Sequence, residues 1–243
     1  MTIAILSALP EEQAGWVESL QGVRATRHAG RQFWQGRWQG AGAGQGHDLV
    51  CVLSGIGKVA AATTAAALIE RFGVTRIVFT GVAGGVGQGV QVGDVVVASE
   101  YLQHDLDASP LFARWEMPGY GRTRLACDPV MSAALHAASQ DCVGSAARAH
   151  HGLVVSGDQF VGTALASQAL RSGLEAAGHP VLAVEMEGAA VAQTCHDYGV
   201  PFAAMRTISD RADDSASVDF TDFVRNVASR YAQQILTGFL QRL

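Results

Sequence analysis

The sequence has 243 residues, of which 49% are hydrophobic and only 16% charged, so it holds enough apolar material for a sizeable core. Chains of about 200–250 residues often form one α/β domain, and no linker divides this one, which predicts a single domain over residues 1–243. The net charge of −5 and the scattered basic residues argue against a nucleic-acid-binding surface and favour a small neutral substrate.

No segment has the pattern of an export or membrane signal. Residues 1–6 lack the basic region and cleavage site of a signal peptide, and no apolar run approaches the ~18 residues of a transmembrane helix. The four cysteines are widely spaced without a CxxC pair, which favours free buried thiols over disulfides or a zinc site. We therefore expect a cytoplasmic protein with no metal or other cofactor and no membrane or nucleic-acid partner.

Strand-like and helix-like segments alternate along the chain. The first half predicts, in order, a strand at Thr2–Ser7, a helix at Pro10–Leu20, paired strands at Phe33–Gln39 and Asp48–Ser54 around a glycine-rich turn at 40–46, a helix at Val59–Phe72, and strands at Arg76–Thr80 and Asp94–Ser99. The second half predicts a helix at Pro129–Ser139, a strand at Gly152–Val155, a helix at Ala164–Ala177, a strand at 181–184, a helix at 187–198 and a strand at 202–208.

The C-terminal segment predicts a long amphipathic helix. From Phe220 to Leu240, apolar residues recur at alternating steps of three and one, which places them on one helical face closing over the core. Strands that alternate with helices imply a mixed or mostly parallel sheet with helices on both faces. The predicted fold class is therefore α/β.

Several glycine-rich stretches could be mistaken for nucleotide loops. Residues 40–46 and 84–89 lack the G-x-G-x-x-G spacing, and Ser54–Lys58 is not followed by the Ser or Thr that a P-loop uses to hold magnesium. Thr80–Gly85 directly follows a predicted strand, where ligands of α/β sheets bind, and glycine there lets a ligand approach the backbone. A plain tight turn is the alternative interpretation of Thr80–Gly85.

Acidic residues stand where apolar runs end. Glu185 and Glu187 follow the strand at 181–184, and Asp210 follows the strand at 202–208. Because buried acids are costly without partners, acids at strand ends suggest a site. Glu12 has two interpretations: it belongs to the first turn of a helix, or it acts as a general base above the sheet.

These acids also have structural interpretations. Glu187 begins a predicted helix, whose dipole would keep its carboxylate ionised. Asp210 lies close in sequence to Arg206 and could form an ion pair. Phe160, after a predicted strand, offers either an aromatic face to a base or core packing. The His104-Asp105 pair has no serine or cysteine nucleophile to serve, so a structural role is favoured.

Seven segments together resemble one family, the 5'-methylthioadenosine/S-adenosylhomocysteine nucleosidases of the nucleoside phosphorylase superfamily. In order, they are Ala8–Glu12, Ser54–Lys58, Thr80–Gly85, Val92–Asp94, Ser156–Phe160, Val184–Gly188 and Arg206–Asp210. The resemblance covers nearly the whole chain. It implies a three-layer α/β/α sandwich with a central mixed sheet, a homodimer, and hydrolysis of an N-glycosidic bond that releases adenine.

The resemblance also implies a role for each matched residue. Glu12 would activate the attacking water, and Asp210, held by Ser209, would deliver a proton to N7 of the purine. Glu187 would bond the ribose hydroxyls, with Met186 packing on the sugar. The other residues expected to hold substrate or orient the acids are Phe160, Val161, Arg206, Ile56, Val82, Ala83 and Gly84.

Nucleoside hydrolysis needs these residue types. Adenine is a poor leaving group until a ring nitrogen is protonated, so a general acid is needed on its side, and water arriving at the opposite ribose face needs a second carboxylate. A third carboxylate can stabilise the cationic sugar. Two positions depart from the family pattern: Pro10 replaces a common acid, and Val82 replaces a Ser or Thr. The loop at 107–112 matches more loosely, which leaves the 5'-substituent preference open.

Three other functions fit the same residues. A phosphorylase of the same superfamily would need a phosphate site, for which Arg24, Arg27, His28 and Arg31 are the candidate donors. A nucleosidase for another 5'-modified nucleoside, such as a futalosine-type compound, is the second. A non-catalytic nucleoside-binding protein is the third, although binding alone would not require three acids.

Overall fold

The alternating segments form one mixed sheet between two layers of helices. The computed structural model describes residues 1–40, 46–144, 147–216, 220, 223 and 229–243. The strands within these residues are β1 (Thr2–Ser7), β2 (Gln21–His28), β3 (Arg31–Gln39), β4 (Gly46–Leu53), β5 (Arg76–Gly85), β6 (Val95–Gln103), β7 (Leu125–Ala126), β8 (Ala149–Ser156), β9 (Val181–Glu185) and β10 (Phe202–Asp210). The helices are α1 (Pro10–Gln13), α2 (Lys58–Phe72), α3 (Pro129–Cys142), α4 (Ala164–Ala176), α5 (Gly188–Tyr198) and α6 (Ser229–Leu240).

Part of the sheet closes on itself. The strands lie in the order β10-β6-β8-β9-β5-β1-β4-β3-β2, with β7 on β6, and β10 also pairs with β5. Strands β5, β10, β6, β8 and β9 therefore form a closed ring. Strands β1, β5 and β10 run parallel, while β9 meets β5 in antiparallel fashion only at their carboxyl ends, where Gly84 faces Val184. The carboxyl ends of β1, β5, β9 and β10 thus converge on one region.

Side chains alternate between two cores, one on each face of the sheet. In β1, Ala4 and Leu6 face one core, whereas Ile3 and Ile5 face the other. The first core is covered by α2 packed on α5, and the second by α3 packed on α6. This arrangement confirms the predicted α/β sandwich with helices on both faces.

The C-terminal helix is confirmed over the residues that the structure describes. Along α6, Ala232, Ile235, Leu236, Phe239 and Leu240 are buried, in the predicted spacing. Of the rest of the predicted helix, residues 221, 222 and 224–228 lie outside the described residues, as do residues 41–45 of the glycine-rich turn. Strands β3 and β4, which flank that turn, pair in antiparallel fashion as predicted.

Three predictions of local structure were wrong. The helix predicted at Pro10–Leu20 is interrupted: α1 ends at Gln13, Ala14 leaves the helical region with a ψ of 134°, Gly15 has a left-handed φ of 84°, and a single 3₁₀ turn follows at Val17–Ser19. Strand β2 was missed because its side chains are almost all exposed and show no apolar alternation. The strand predicted at Arg76–Thr80 was too short: β5 continues through Thr80–Gly85, because β10 pairs with it up to Gly84, so the alternative interpretation of that stretch as a turn does not hold.

The cysteines and helices show no sign of a crosslink or a membrane span within the described part of the chain. All four cysteines are free thiols, and Cys51, Cys127 and Cys195 are buried. Burial raises the pKa of the Cys195 thiol to about 12, which keeps it protonated and unreactive. Among these residues no helix is both long and apolar enough to cross a bilayer.

Candidate active site

A cavity of about 320 Å³ lies where the carboxyl ends of β1, β5, β9 and β10 converge. Its lining includes every predicted site residue except Arg206. The residues around it are Ala8, Leu9, Glu12, Ile56, Val82, Ala83, Gly84, Gln159, Phe160, Val161, Val184, Glu185, Met186, Glu187, Ser209, Asp210 and Phe220. The strand ends thus gather acids that are distant in sequence into one largely apolar space.

Glu12 is held by backbone groups from two segments. Its Oε2 accepts the N–H groups of Ala8 and Leu9, each at 2.8 Å, and its Oε1 accepts that of Val82 at 3.1 Å. A Cβ at position 81 would lie 2.9 Å from Oε1, so glycine at that position allows the carboxyl to reach β5. Burial raises the pKa of Glu12, although these N–H groups and the charge of Arg206 oppose the rise. Glu12 is therefore a fixed carboxyl with enhanced basicity.

Asp210 occupies the corresponding place further along β5. Its Oδ2 accepts the Ser209 hydroxyl at 2.7 Å, and its Oδ1 accepts the Ala212 N–H at 2.9 Å. A Cβ at Gly84 would lie 3.0 Å from Oδ1. Because Glu12 and Asp210 rest against β5 three residues apart, their contact points are separated by roughly 10 Å along the strand.

Glu185 and Arg206 form a buried ion pair beside the cavity. Arg206 Nη2 lies 2.6 Å from Glu185 Oε2, and both side chains are almost fully buried. Glu185 also accepts the Ser156 hydroxyl and the Gly188 N–H, while the guanidinium lies 4.0 Å from the centre of the Phe79 ring. Arg206 itself does not line the cavity, but its pairing with Glu185, which does, agrees with the expectation that Arg206 orients the acids. Glu185, whose role the sequence left open, is the partner that holds it.

Glu187 is the N-cap residue of α5, and Glu187 Oε1 accepts the Gly57 N–H at 2.8 Å. Burial raises the pKa of Glu187, and the neighbouring Glu185 carboxylate raises it further, to about 8. The expectation that the helix dipole keeps Glu187 ionised is therefore wrong. Desolvation and a like charge outweigh the dipole, because both act on a group that is only 7% exposed.

Aromatic and aliphatic side chains form the rest of the cavity. Phe160 is half-exposed, and its ring meets the Phe220 ring edge-on with 6.0 Å between centroids. Phe220 also packs with Leu9 on Val82. Sequence reasoning took Phe220 for the core face of a helix, because an apolar helical pattern does not distinguish a core from a cavity wall. It also missed Gln159, which lines the cavity beside Phe160.

The described lining of the cavity contains no arginine or lysine. Arg24, Arg27 and His28 lie on β2, and Arg31 lies on β3, where it donates to the Ser54 carbonyl oxygen at 3.1 Å. None of these four candidate phosphate donors lines the cavity. Across the described residues, no group of three or more His, Cys, Asp or Glu side chains could hold a metal ion.

Comparisons with known proteins agree with this geometry. The phosphorylase superfamily model matches residues 2–241. A 5'-methylthioadenosine/S-adenosylhomocysteine nucleosidase from Shewanella denitrificans is 34% identical over 242 residues, which cover 97% of each chain. The chain belongs to this nucleosidase family. A member of the family from Colwellia psychrerythraea is 35% identical over 240 residues, covering 97% of this chain and 94% of that one.

Solved structures of the nucleosidase family share the fold. The Neisseria meningitidis nucleosidase, in complex with methylthio-immucillin-A, has a TM-score of 0.89 and 33% identity, covering 100% of this chain and 99% of that one. The Colwellia psychrerythraea nucleosidase, in complex with adenine, has a TM-score of 0.90 and 33% identity, covering 100% of this chain and 96% of that one. The resemblance drawn from the sequence motifs is thereby confirmed at the level of family and fold.

Proposed function

We propose that the protein is an N-glycosyl hydrolase that cleaves 5'-methylthioadenosine and S-adenosylhomocysteine into adenine and the 5'-thio-substituted ribose. The observation that carries the proposal is the convergence of Glu12, Glu187 and Asp210 on one cavity. The apolar walls of that cavity suit a purine and a thioether. Related nucleosidases bind adenine and methylthio-immucillin-A, which supports the same ligand class here.

In the proposed reaction Glu12 and Asp210 move protons at opposite ends of the nucleoside. Glu12 accepts a proton from water, whose oxygen forms a bond to the anomeric carbon of the ribose. The bond from that carbon to N9 of adenine breaks, its electron pair passes to the purine, and Asp210 supplies a proton to N7. Attack by water on the face of the sugar opposite the departing adenine would invert the anomeric carbon.

The remaining predicted residues support this reaction. Ser209 orients the carboxyl of Asp210, and Glu187 bonds the ribose hydroxyls. With a pKa of about 8, Glu187 is largely protonated at neutral pH, so its carboxyl can both donate and accept a hydrogen bond. Met186 packs on the sugar, and Phe160 with the backbone at Val161 holds the adenine. Arg206 contributes indirectly, by holding Glu185 in their ion pair.

The proposal also covers the oligomeric state of the protein and its cellular location. The chain works as one domain over residues 1–243, without a cofactor and without a membrane or nucleic-acid partner, in the cytoplasm and in methionine salvage. It forms a homodimer. Exposed apolar side chains support this: Ile56 at the cavity, Val59 on α2, and Leu111 and Phe112 on the loop that follows β6.

One experiment tests the reaction and separates it from phosphorolysis. The protein is incubated with 5'-methylthioadenosine, with and without phosphate, and the sugar product is identified. Free methylthioribose in the absence of phosphate is the expected product. A sugar 1-phosphate formed only when phosphate is present would establish a phosphorylase. Absence of adenine release under both conditions would reject the proposed substrate and turn attention to other 5'-modified nucleosides.

A further inference from the structure

The N-terminus of α2 is satisfied by two carboxyl groups from distant segments. Gly57, the N-cap residue, has no side chain with which to cap the helix, and its own N–H donates to Glu187. The Lys58 N–H donates to Asp158 Oδ1 at 2.8 Å. Since the first N–H groups of a helix lack partners within it, these carboxyl groups fix where α2 begins relative to the cavity.

The Lys58 ammonium joins the same group of residues. Its Nζ lies 2.6 Å from Asp105 Oδ1, 3.2 Å from Gln103 Oε1 and 3.9 Å from Asp158 Oδ2. Asp105 Oδ2 in turn accepts the Asp158 N–H at 2.9 Å. The Lys58 side chain is only 16% exposed, so these contacts are partly shielded from water. Lys58, Asp105 and Asp158 thus connect α2, the end of β6 and the loop after β8.

Lys58 is the only lysine in the sequence, which otherwise uses arginine for its basic side chains. An ammonium is compact and presents three donors, which suits oxygens that approach from Asp105, Gln103 and Asp158. A guanidinium is a planar fork that suits one carboxylate in a bidentate arrangement. The geometry around Nζ is therefore a physical reason for lysine at this one position.

None of the three charged residues lines the cavity, but the residues adjacent to them do. Ile56 precedes Gly57, and Phe160 follows Asp158 by two positions. We propose that Lys58, Asp105 and Asp158 form an ionic clamp that positions Ile56, Glu187 and Phe160 around the substrate, which makes Lys58 a positioning residue for the reaction. The inference rests on the proposed function, because it assigns the clamp a part in binding the nucleoside.

The clamp itself can be tested without any substrate. Trinitrobenzenesulfonate labels amines, and peptide mapping separates Lys58 from the N-terminal amine, the one other reactive amine that the sequence provides. Lys58 is expected to react severalfold faster in the Asp105→Asn and Asp158→Asn variants than in the wild type. Equal labelling rates in all three proteins would show that no clamp holds the ammonium.

Its role in the reaction is tested by kinetics with 5'-methylthioadenosine. Lys58→Met is expected to lower kcat/KM about 10- to 100-fold, mostly by raising KM, because small displacements of substrate-contacting groups are costly. Asp158→Asn should act in the same direction. Arg37→Met is the matched control, since it breaks an exposed ion pair, Arg37–Asp48, whose members do not line the cavity. The control should stay within twofold of the wild type.

A conservative variant of Lys58 tests whether the ammonium itself is needed. Lys58→Arg keeps the charge but replaces the ammonium, and it is expected to leave KM raised. Lys58→Met with wild-type kcat/KM and an unchanged unfolding midpoint would overturn the positioning role, whereas full activity in Lys58→Arg would overturn the argument that the site needs an ammonium. If Lys58→Met does not fold, the two Asn variants carry the same test. Failure of the wild type to release adenine would reject the proposed function, while the labelling experiment would still decide whether the clamp exists.

Discussion

At the scale of single residues, Glu12 and Asp210 obtain their hydrogen bonds from different groups. Glu12 has backbone donors on both oxygens, whereas Asp210 has a serine hydroxyl on one oxygen and a backbone N–H on the other. A hydroxyl can rotate to serve as donor or acceptor, but a backbone N–H can only donate. The surroundings of Glu12 are therefore specific for a carboxylate, and those of Asp210 tolerate a change of protonation.

This difference predicts the outcome of Glu12→Gln. The amide nitrogen would face backbone N–H donors whichever way the side chain turns, so the variant should lose roughly 1–3 kcal/mol of unfolding free energy. It should also lose about 10²–10⁴ in kcat, because the proposed general base is gone. Urea denaturation and steady-state kinetics measure the two effects. The matched change Asp210→Asn should cost comparable activity but less stability, and equal stability losses would contradict this account.

The raised pKa of Glu187 predicts that the stability of the folded protein depends on pH. Its pKa is about 8 in the folded protein and near the ordinary 4.5 when unfolded, so the folded state retains a proton that the unfolded state releases between these values. The stabilisation is complete below about pH 4.5 and is lost as pH rises to 8, with a slope of at most roughly 1.4 kcal/mol per pH unit. Glu187→Gln should remove this component. Urea unfolding at pH 5, 6.5 and 8 tests it, and parallel wild-type and variant curves would refute it.

Which residues line the cavity could largely be predicted from the sequence, but their ionisation could not. The order of the motifs led to Glu12, Glu187 and Asp210, because each stands beside a recognisable strand or helix end. The state of Glu187 depends on its burial and on Glu185, whose distance from it in space is set by the turn after β9. Arg206 was expected to orient the acids, but its place in the motif did not reveal that Glu185 is the acid it pairs with.

At the scale of elements, the glycines of β5 determine how closely the acids approach the sheet. A Cβ at position 81 would meet Glu12 Oε1 at 2.9 Å, closer than such contacts occur. Three backbone bonds fix that carboxyl, so the strand and the acid cannot both keep their positions. Glycine at position 81 is thus required by the position of Glu12 and not by the strand itself.

Gly81→Ala is accordingly expected to lower kcat about 10²-fold while the protein still folds, because Glu12, the proposed general base, shifts by part of an ångström. Gly173→Ala is the matched control: this glycine lies inside α4, and a Cβ added to it would meet no neighbouring side chain within 4 Å. The control should keep full activity and gain about 0.5–1 kcal/mol of stability, as glycine-to-alanine changes in helices do. Kinetics and thermal unfolding distinguish the two variants, and full activity in Gly81→Ala would reject the explanation.

Elements with a strong local pattern were predictable, and those set by distant pairing were not. Strand β1 was found with its correct bounds, since Thr2–Ser7 is a continuous apolar run between polar segments. The glycines of Thr80–Gly85 favour a turn locally, and only pairing with β10 extends β5 through them. Strand β2 carries no apolar alternation because it lies at the edge of the sheet.

At the scale of the whole molecule, the Glu185–Arg206 pair connects two strands that are not neighbours. Glu185 ends β9 and Arg206 lies in β10, and the described sheet places β5 between them on one side of the ring. The pair therefore links opposite parts of the closed ring. No local pattern could predict this contact, because it exists only once the ring has closed.

Breaking this pair should destabilise the protein strongly. Glu185→Gln leaves a buried guanidinium without its counter-charge, and such losses typically cost about 3–5 kcal/mol. The double variant Glu185→Gln with Arg206→Met should recover part of that loss, because no charge then remains unpaired. Urea unfolding of the single and double variants measures the coupling. A double variant as unstable as the sum of the two single ones would show that the residues act independently.

The ring of strands β5, β10, β6, β8 and β9 also limits how copies of the protein can associate. Since β10 is paired on both sides, the long open edge of the described sheet is β2, at the far end from the ring. That strand carries Arg24, Arg27 and His28, and charged side chains on an edge discourage pairing with another chain. Among the strands that the structure describes, a second copy therefore finds no uncharged open edge of this length on which to extend the sheet. The basic residues of β2 that could have bound phosphate instead keep this long edge of the described sheet in water.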